Sequence, residues 1–348
     1  MIHRLTAPAT IALLLLFLAQ SPQLPQSQEK IRTRVNEVIV PVTVTNKSGN
    51  LILDLSQKDF HVFDGGIEQS ITTWDLGGDP LAVALVIDTS TRIKAMAPEI
   101  HRMSSIFTET VMALNGEAAV ITYDSETIVR QNFTQDHDAV GKAIAGVKFE
   151  VPENKLYDAM TRAVELLAAQ PSTYRRIMLV IGESQDNESK SNLGQVVRDA
   201  AHANISIYAV GTSSVAADIR GGNKGVTPLK IPGLPPITTG QCIDNRGNPC
   251  YDLVTPAVWL LERGTNEIKS HQLEIAAAAT GGIHYRAFRD DTIAVALDRI
   301  GSELHAQYIL TYSPANESLV GFNEIKVTVP RPKLTVRTRP GYYVLSPK

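Results

Sequence analysis

The sequence predicts a doubly wound α/β domain set between two β-rich flanks that fold together into one small sandwich. Three observations carry that prediction. Leu81-Ala82-Val83-Ala84-Leu85-Val86-Ile87 is an uninterrupted apolar run, as expected of a strand buried on both faces of a parallel sheet. Comparable runs recur at residues 177–181 and 205–210, separated by stretches with helical spacing; alternating strand and helix describe a sheet covered on both sides. At the two ends, residues 35–45, 307–312, 324–329 and 334–338 are β-branched and alternate apolar with polar, as half-buried antiparallel strands do.

Taken in order, residues 1–29 read as a secretory signal peptide. His3 and Arg4 precede the apolar stretch Ile11-Ala12-Leu13-Leu14-Leu15-Leu16-Phe17-Leu18-Ala19, and a polar, proline-containing exit follows. The apolar core is short for a membrane span, and no later segment is long and apolar enough to cross a bilayer. The mature chain is expected to be secreted or periplasmic.

Residues 30–78 form the first part of the β domain. Asp64-Gly65-Gly66 is a hairpin-type turn after Phe60-His61-Val62-Phe63, with Ile71-Thr72-Thr73-Trp74 expected as the return strand. These strands are too few to bury a core alone.

The α/β domain is placed at 79–305. Helical spacing covers 93–114, 137–145, 155–169, 190–203, 271–279 and 290–305, with a strand near 283–285. Residues 118–123 and 127–130 are joined only by Asp124-Ser125-Glu126, too short for a crossover helix, so that pair should be antiparallel with one strand on the sheet edge. Residues 212–269 hold Gly221-Gly222, Pro228, Pro232, Pro235-Pro236 and both cysteines. They read as an insertion leaving a strand's C-terminal end. Cys242 and Cys250 flank an Asp-Asn-Arg-Gly turn, and in an oxidising compartment they are expected to form one local disulfide. Residues 306–348 return to β and complete the discontinuous sandwich.

Composition narrows the function classes. The 348 residues are 43% hydrophobic and 20% charged with a net charge of -3, which fits a globular chain and gives no basic footprint for nucleic acid. Phosphate-loop, dinucleotide and His-Glu-x-x-His patterns do not occur. Gly182-Glu183-Ser184-Gln185-Asp186 partly matches a nucleophile elbow, but Asp stands where its last Gly belongs. His202, His271, His284 and His305 are in the chain, yet nothing in the sequence sets one against Ser184. The protein is expected not to be an enzyme.

The first long apolar run ends in Ile87-Asp88-Thr89-Ser90-Thr91-Arg92. A buried strand running into Asp-x-Ser resembles the metal-ion-dependent adhesion site of von Willebrand factor A (vWA) domains. In that family the motif is Asp-x-Ser-x-Ser, completed by a Thr and an Asp on two later loops. The resemblance implies a Rossmann-like vWA sheet and a divalent cation, Mg²⁺ first, held here by Asp88, Ser90, Asn154 and Glu183. It also implies a protein partner whose carboxylate completes the ion's oxygen shell.

The chain departs from the pattern at three places: Arg92 replaces the second Ser, Asn154 the Thr, and Glu183 the Asp. A guanidinium cannot ligate a metal. The alternative is therefore that Arg92 stands in for the ion, bridging Asp88 and Glu183 with its fork of donors and receiving an anionic ligand on the rest. A third reading makes Asp88 and Ser90 a plain helix cap.

Asp59-Phe60-His61-Val62-Phe63-Asp64-Gly65-Gly66, Gln307-Tyr308-Ile309-Leu310-Thr311-Tyr312-Ser313-Pro314 and Arg337-Thr338-Arg339-Pro340-Gly341-Tyr342-Tyr343 are similar to segments of a secreted, acidobacterial-type VWFA-related family. The expected function is an exported adhesion or protein-binding module acting through the face of Asp88, Ser90, Arg92, Asn154 and Glu183. The competing expectation is a structural envelope protein with an inert apex, its contacts made by the β domain or the insertion.

Overall fold

The computed structural model describes residues 32–33, 37–212, 253–264, 271–287, 293–315 and 318–345. The expected signal peptide, the Cys242–Cys250 disulfide and most of the 212–269 insertion lie outside the described residues.

The N-terminal flank supplies β1 (Arg32–Thr33), β2 (Val38–Asn46), β3 (His61–Asp64), β4 (Ile67–Gln69) and β5 (Ile71–Leu76). The α/β body then runs through β6 (Leu81–Asp88), α1 (Ala97–Arg102), α2 (Ser104–Ile106), β7 (Glu117–Tyr123), β8 (Thr127–Thr134), α3 (His137–Ala145) and α4 (Leu156–Ala168). It continues through β9 (Arg175–Gly182), α5 (Leu193–His202), β10 (Ile205–Thr212), α6 (Val254–Arg263), α7 (Gln272–Thr280), β11 (His284–Ala287) and α8 (Ile293–Leu304). The C-terminal flank adds β12 (Tyr308–Tyr312), β13 (Ser318–Leu319), β14 (Gly321–Thr328), β15 (Leu334–Thr338) and β16 (Gly341–Val344). None of the described helices is long and apolar enough to cross a membrane.

The central six-stranded sheet has the order β11-β10-β9-β6-β7-β8. All its pairings are parallel except β7 with β8, which is antiparallel and places β8 on the edge, as the short Asp124-Ser125-Glu126 connection requires. Every residue of β6 is buried. Its side chains alternate between two cores: Ala82, Ala84 and Val86 face α4, α5, α6 and α7, while Leu81, Val83, Leu85 and Ile87 face α3, α8 and the segment from Ile93 to Met112. The sheet winds outward in both directions from β6, so the crevice between the C-terminal ends of β6 and β9 is its topological switch point.

Three expectations need correction. The single helix over 93–114 is broken into a 3₁₀ turn (Thr91–Met96), α1, α2 and a π-helical turn (Phe107–Met112). Pro98 lies in the first turn of α1, where its missing N–H costs nothing; further into a helix it would break the ladder. The insertion also contains an ordered helix, α6, with Ala257, Trp259, Leu260 and Leu261 buried in the core. Finally, the strand returning from the Asp64 turn is β4, not β5, with Asp64 opposite Ile67 and Val62 opposite Gln69. Gly65 and Gly66, at φ 54° and 84°, make the two-residue reversal that sets this register. The chain then crosses to the other sheet, where β5 pairs with β12.

The flanks interleave as expected. One four-stranded sheet has the order β15-β2-β12-β5 and the other β16-β14-β3-β4, each mixing strands from both ends of the chain. The two sheets share one apolar cluster that includes Val40, Val42, Val62, Tyr308, Leu310, Ile325 and Val344. Tyr312 from one sheet and Tyr342 from the other both donate to Asp64 Oδ2, at 2.8 and 2.9 Å.

The outer face of the first sheet meets the base of the α/β body through buried polar groups. Tyr208 Oη donates to Glu303 Oε1 at 2.6 Å, and Arg337 pairs with Glu303 Oε2. Arg337 Nη1 also donates to Gly281 O at 2.6 Å, and Gln307 Nε2 donates to Thr43 Oγ1 at 3.0 Å. Glu303→Ala strands Arg337 without its counter-charge and is expected to cost about 3–5 kcal/mol, read by urea unfolding at neutral pH. A loss under about 1 kcal/mol would show the pair to be no more than a surface bridge.

Candidate functional site

The switch-point crevice brings Asp88, Ser90, Arg92, Asn154 and Glu183 together. Asp88 ends β6, Glu183 follows β9, and Asn154 precedes α4. Asp88, Ser90 and Asn154 are fully buried. The Asp88 carboxylate accepts from Ser90 N at 2.8 Å on Oδ1, and from Asn154 Nδ2 at 3.0 Å and Glu183 N at 3.4 Å on Oδ2. Burial raises its pKa above the ordinary carboxylate value, opposed by the bonds from Ser90 and the Glu183 N–H.

Asn154 is oriented unambiguously. Its Oδ1 accepts from Leu156 N at 3.2 Å, at the start of α4, which commits Nδ2 to Asp88; the reverse orientation would set oxygen against carboxylate. Gly182 is required here, since a Cβ at that position would lie 2.5 Å from Tyr123 Oη and 2.6 Å from Asp88 Cβ.

Arg92 does not bridge Asp88 and Glu183. Its Nη1 lies 3.6 Å from Glu183 Oε2, and its Nε donates to Pro152 O at 3.3 Å. Asn187, with its carboxamide oxygen toward Arg92, accepts from Nη1 at 2.8 Å and Nη2 at 2.7 Å. The physical reason is reach and competition: Asp88 is sealed behind Ser90 and Asn154, while the Arg92 side chain is 38% exposed. The helix-cap reading also fails in its simple form, because Ser90 makes no side-chain cap bond.

As placed, these residues do not fit a divalent cation. Mg²⁺ takes a near-octahedral shell of oxygens. Here Asn154 presents nitrogen to Asp88, its oxygen is committed to α4, and a guanidinium sits beside Glu183. Ser90 Oγ and Tyr123 Oη are buried there without a hydrogen-bond partner among the described residues.

Several neighbours escaped sequence reasoning. Thr89 ties the loop to the adjacent strand end, its N–H donating to Tyr123 O at 2.8 Å and its hydroxyl contacting Asp124 Oδ2 at 3.1 Å. Asp186 receives Tyr157 N at 3.2 Å and Ser189 Oγ at 2.5 Å. Asp186 and Asn187 sit within four residues of Glu183 in sequence, and that proximity was the available signal. The hydroxyl of Ser184 faces Glu274 Oε2 at 3.4 Å, while His271 Nδ1 and His284 Nδ1 face the other carboxylate oxygen at 3.3 and 3.9 Å. An acid rather than an imidazole thus lies against that serine.

Residues 82–223 match the family model described as von Willebrand factor type A domain. No curated protein matches the chain. Among solved structures, a von Willebrand factor type A protein from Catenulispora acidiphila is 9% identical, covering 92% of this chain and 75% of that one, with a TM-score of 0.44. An aerotolerance-related membrane protein from Bacteroides fragilis is 14% identical over 64% of this chain and 98% of its own, with a TM-score of 0.42. The conserved hypothetical protein BatB from Bacteroides thetaiotaomicron is 13% identical over 64% and 97%, with a TM-score of 0.40.

Asn154→Asp sets a second carboxylate against Asp88 and removes a donor, with an expected cost of about 2–4 kcal/mol at pH 7. Such a pair retains one proton between its two carboxyls, so its upper folded-state pKa is raised. The deficit is therefore full above that pKa and closes as pH falls through it. Urea unfolding of wild type and variant at pH 7 and pH 4 checks this; a deficit that does not shrink in acid contradicts the proposed contact.

Proposed function

With a von Willebrand factor type A domain as its α/β body, we propose that the chain is an exported, non-catalytic binding module that captures an acidic group of a protein partner at its strand-end face without a bound cation. The observation that carries the reading is the position of Arg92. It stands beside the switch-point crevice, anchored by Pro152, Asn187 and Glu183, and keeps its side chain 38% exposed. A guanidinium has five N–H donors; with Nε on Pro152, Nη1 and Nη2 on Asn187 and Nη1 facing Glu183, one Nη2 N–H remains to give a partner's carboxylate a single charge-assisted bond.

Positive charge thus reaches the place where vWA relatives hold a metal, but it comes from the chain itself. Glu183 tempers it and orients it, so the site favours one acidic group rather than a polyanion. Asp88 plays no direct part in capture; it fixes the loop from which Arg92 projects. Export is supported by the apolar stretch at 11–19 behind His3 and Arg4, and a binding role by the nature of the domain.

The test is selection from a displayed random-peptide library on wild type and Arg92→Ala, each with Mg²⁺ and with chelator. Peptides rich in Asp and Glu are expected to enrich on wild type whether or not cation is present. Their affinity should fall roughly ten- to hundredfold on Arg92→Ala, the value of a charge-assisted contact, with little change in stability. Enrichment abolished by chelator, or unaffected by Arg92→Ala, rules the reading out.

A further inference from the structure

The second candidate site lies at the opposite end of the sheet. A cavity of about 390 Å³ separates the starts of β9 and β10 from the outer face of the β15-β2-β12-β5 sheet. Its apolar wall comes from the alternation of β2 and β12. Val40 and Leu310 point into the sandwich core, so Ile39, Pro41 and Ile309 face the cavity. Its charge comes from Arg175, Arg176 and Arg339, set against Asp75 and Asp79.

None of the three arginines forms an ion pair among the described residues. Arg175 and Arg176 spend their terminal nitrogens on Leu304 O, Gln307 Oε1, Ala203 O and Gln170 O. Arg339 is different. It is 4% exposed, its Nη1 donates to Asn204 Oδ1 at 2.8 Å, and its Nε and Nη2 have no partner among the described residues. Those two nitrogens form one edge of the guanidinium, the edge that takes a carboxylate with two parallel bonds. Burial lowers its pKa to about 10, which leaves it charged at neutral pH. A charge so placed is costly until something answers it. Neither nitrogen is reached by solvent, so an anion seats there only as the wall gives slightly. Once seated, it is paired in a water-poor setting where such bonds are strong.

We propose that this cavity binds a small organic monocarboxylate, its head on the Nε/Nη2 edge of Arg339 and its apolar body against Ile39, Pro41 and Ile309. The volume suits a compact ligand. The two aspartates in the wall leave a net charge of about +1 by side-chain count, which favours a monoanion over phosphate. The site is independent of Arg92 and of the reading given to the strand-end face.

Isothermal calorimetry on the full chain with octanoate, octanamide and inorganic phosphate tests this. Saturable octanoate binding is expected, with octanamide and phosphate at least about tenfold weaker. Arg339→Gln should abolish the preference for octanoate over octanamide. Because that variant alters a buried charge, Thr73→Trp provides a second test. Thr73 lines the cavity from the exposed side of edge strand β5, so the larger side chain fills the space while Arg339 stays in place. It should block octanoate with the thermal midpoint retained. No saturable heat with octanoate, equal affinity for octanamide, phosphate binding as tightly, or octanoate binding unchanged in both variants would each overturn the proposal.

Discussion

The arrangement of this protein depends on one largely buried ion pair, the half-buried Arg337 with the buried Glu303, steadied by the Tyr208 hydroxyl. The two charges come from different parts of the chain: Glu303 from the last helix of the α/β body and Arg337 from a strand of the sandwich. A pair removed from water stabilises little by itself, yet each partner is intolerable without the other. The sandwich is therefore held to one docking geometry. With Gln307 on Thr43 and Arg337 on the carbonyl of Gly281, that geometry covers the base of the sheet and leaves its C-terminal strand ends uncovered by the described residues of the flanks.

At those uncovered ends the chain solves an electrostatic problem with its own dipoles. A carboxylate buried at the switch point needs either a cation or a cage of donors. Asp88 has the cage: two backbone N–H groups and the Asn154 carboxamide. The positive charge is displaced outward onto Arg92, where it meets solvent and Glu183. The geometry separates a buried anion that organises the loop from a partly exposed cation at its rim.

Much of the fold was legible because periodicity reports burial directly. The all-apolar run of β6 and the period-two alternation of β2 and β15 each had one reading, and the short Asp124 turn required β7 and β8 to be antiparallel with one of them on the edge. The α6 helix was hidden because glycines and prolines surround it, while its own apolar positions, Ala257, Trp259, Leu260 and Leu261, lie in a window too short to stand out. Residues Asp88, Ser90 and Arg92 were legible as a site because they are adjacent in sequence. Which donor would sit on Asp88 was not legible: that depends on side-chain reach across loops, and the short amide of Asn154 was better placed than the long arm of Arg92. The orphaned edge of Arg339 had no sequence signature, since an unpaired donor is defined only by what fails to surround it.

The interleaving of the two flanks has a consequence for how the chain is made. Val42 in β2 pairs with Tyr308 in β12 and with Thr338 in β15, so this strand finds both its neighbours far downstream in the chain. Until those residues arrive, β2 presents two unsatisfied edges, the condition that invites wrong pairing. The α/β body, whose contacts are more local, is able to form in the interval and bring the chain ends together. Closure of the sandwich therefore waits on β12 and β15: a chain cut before them lacks the strands that cover β2 and is left with an exposed edge.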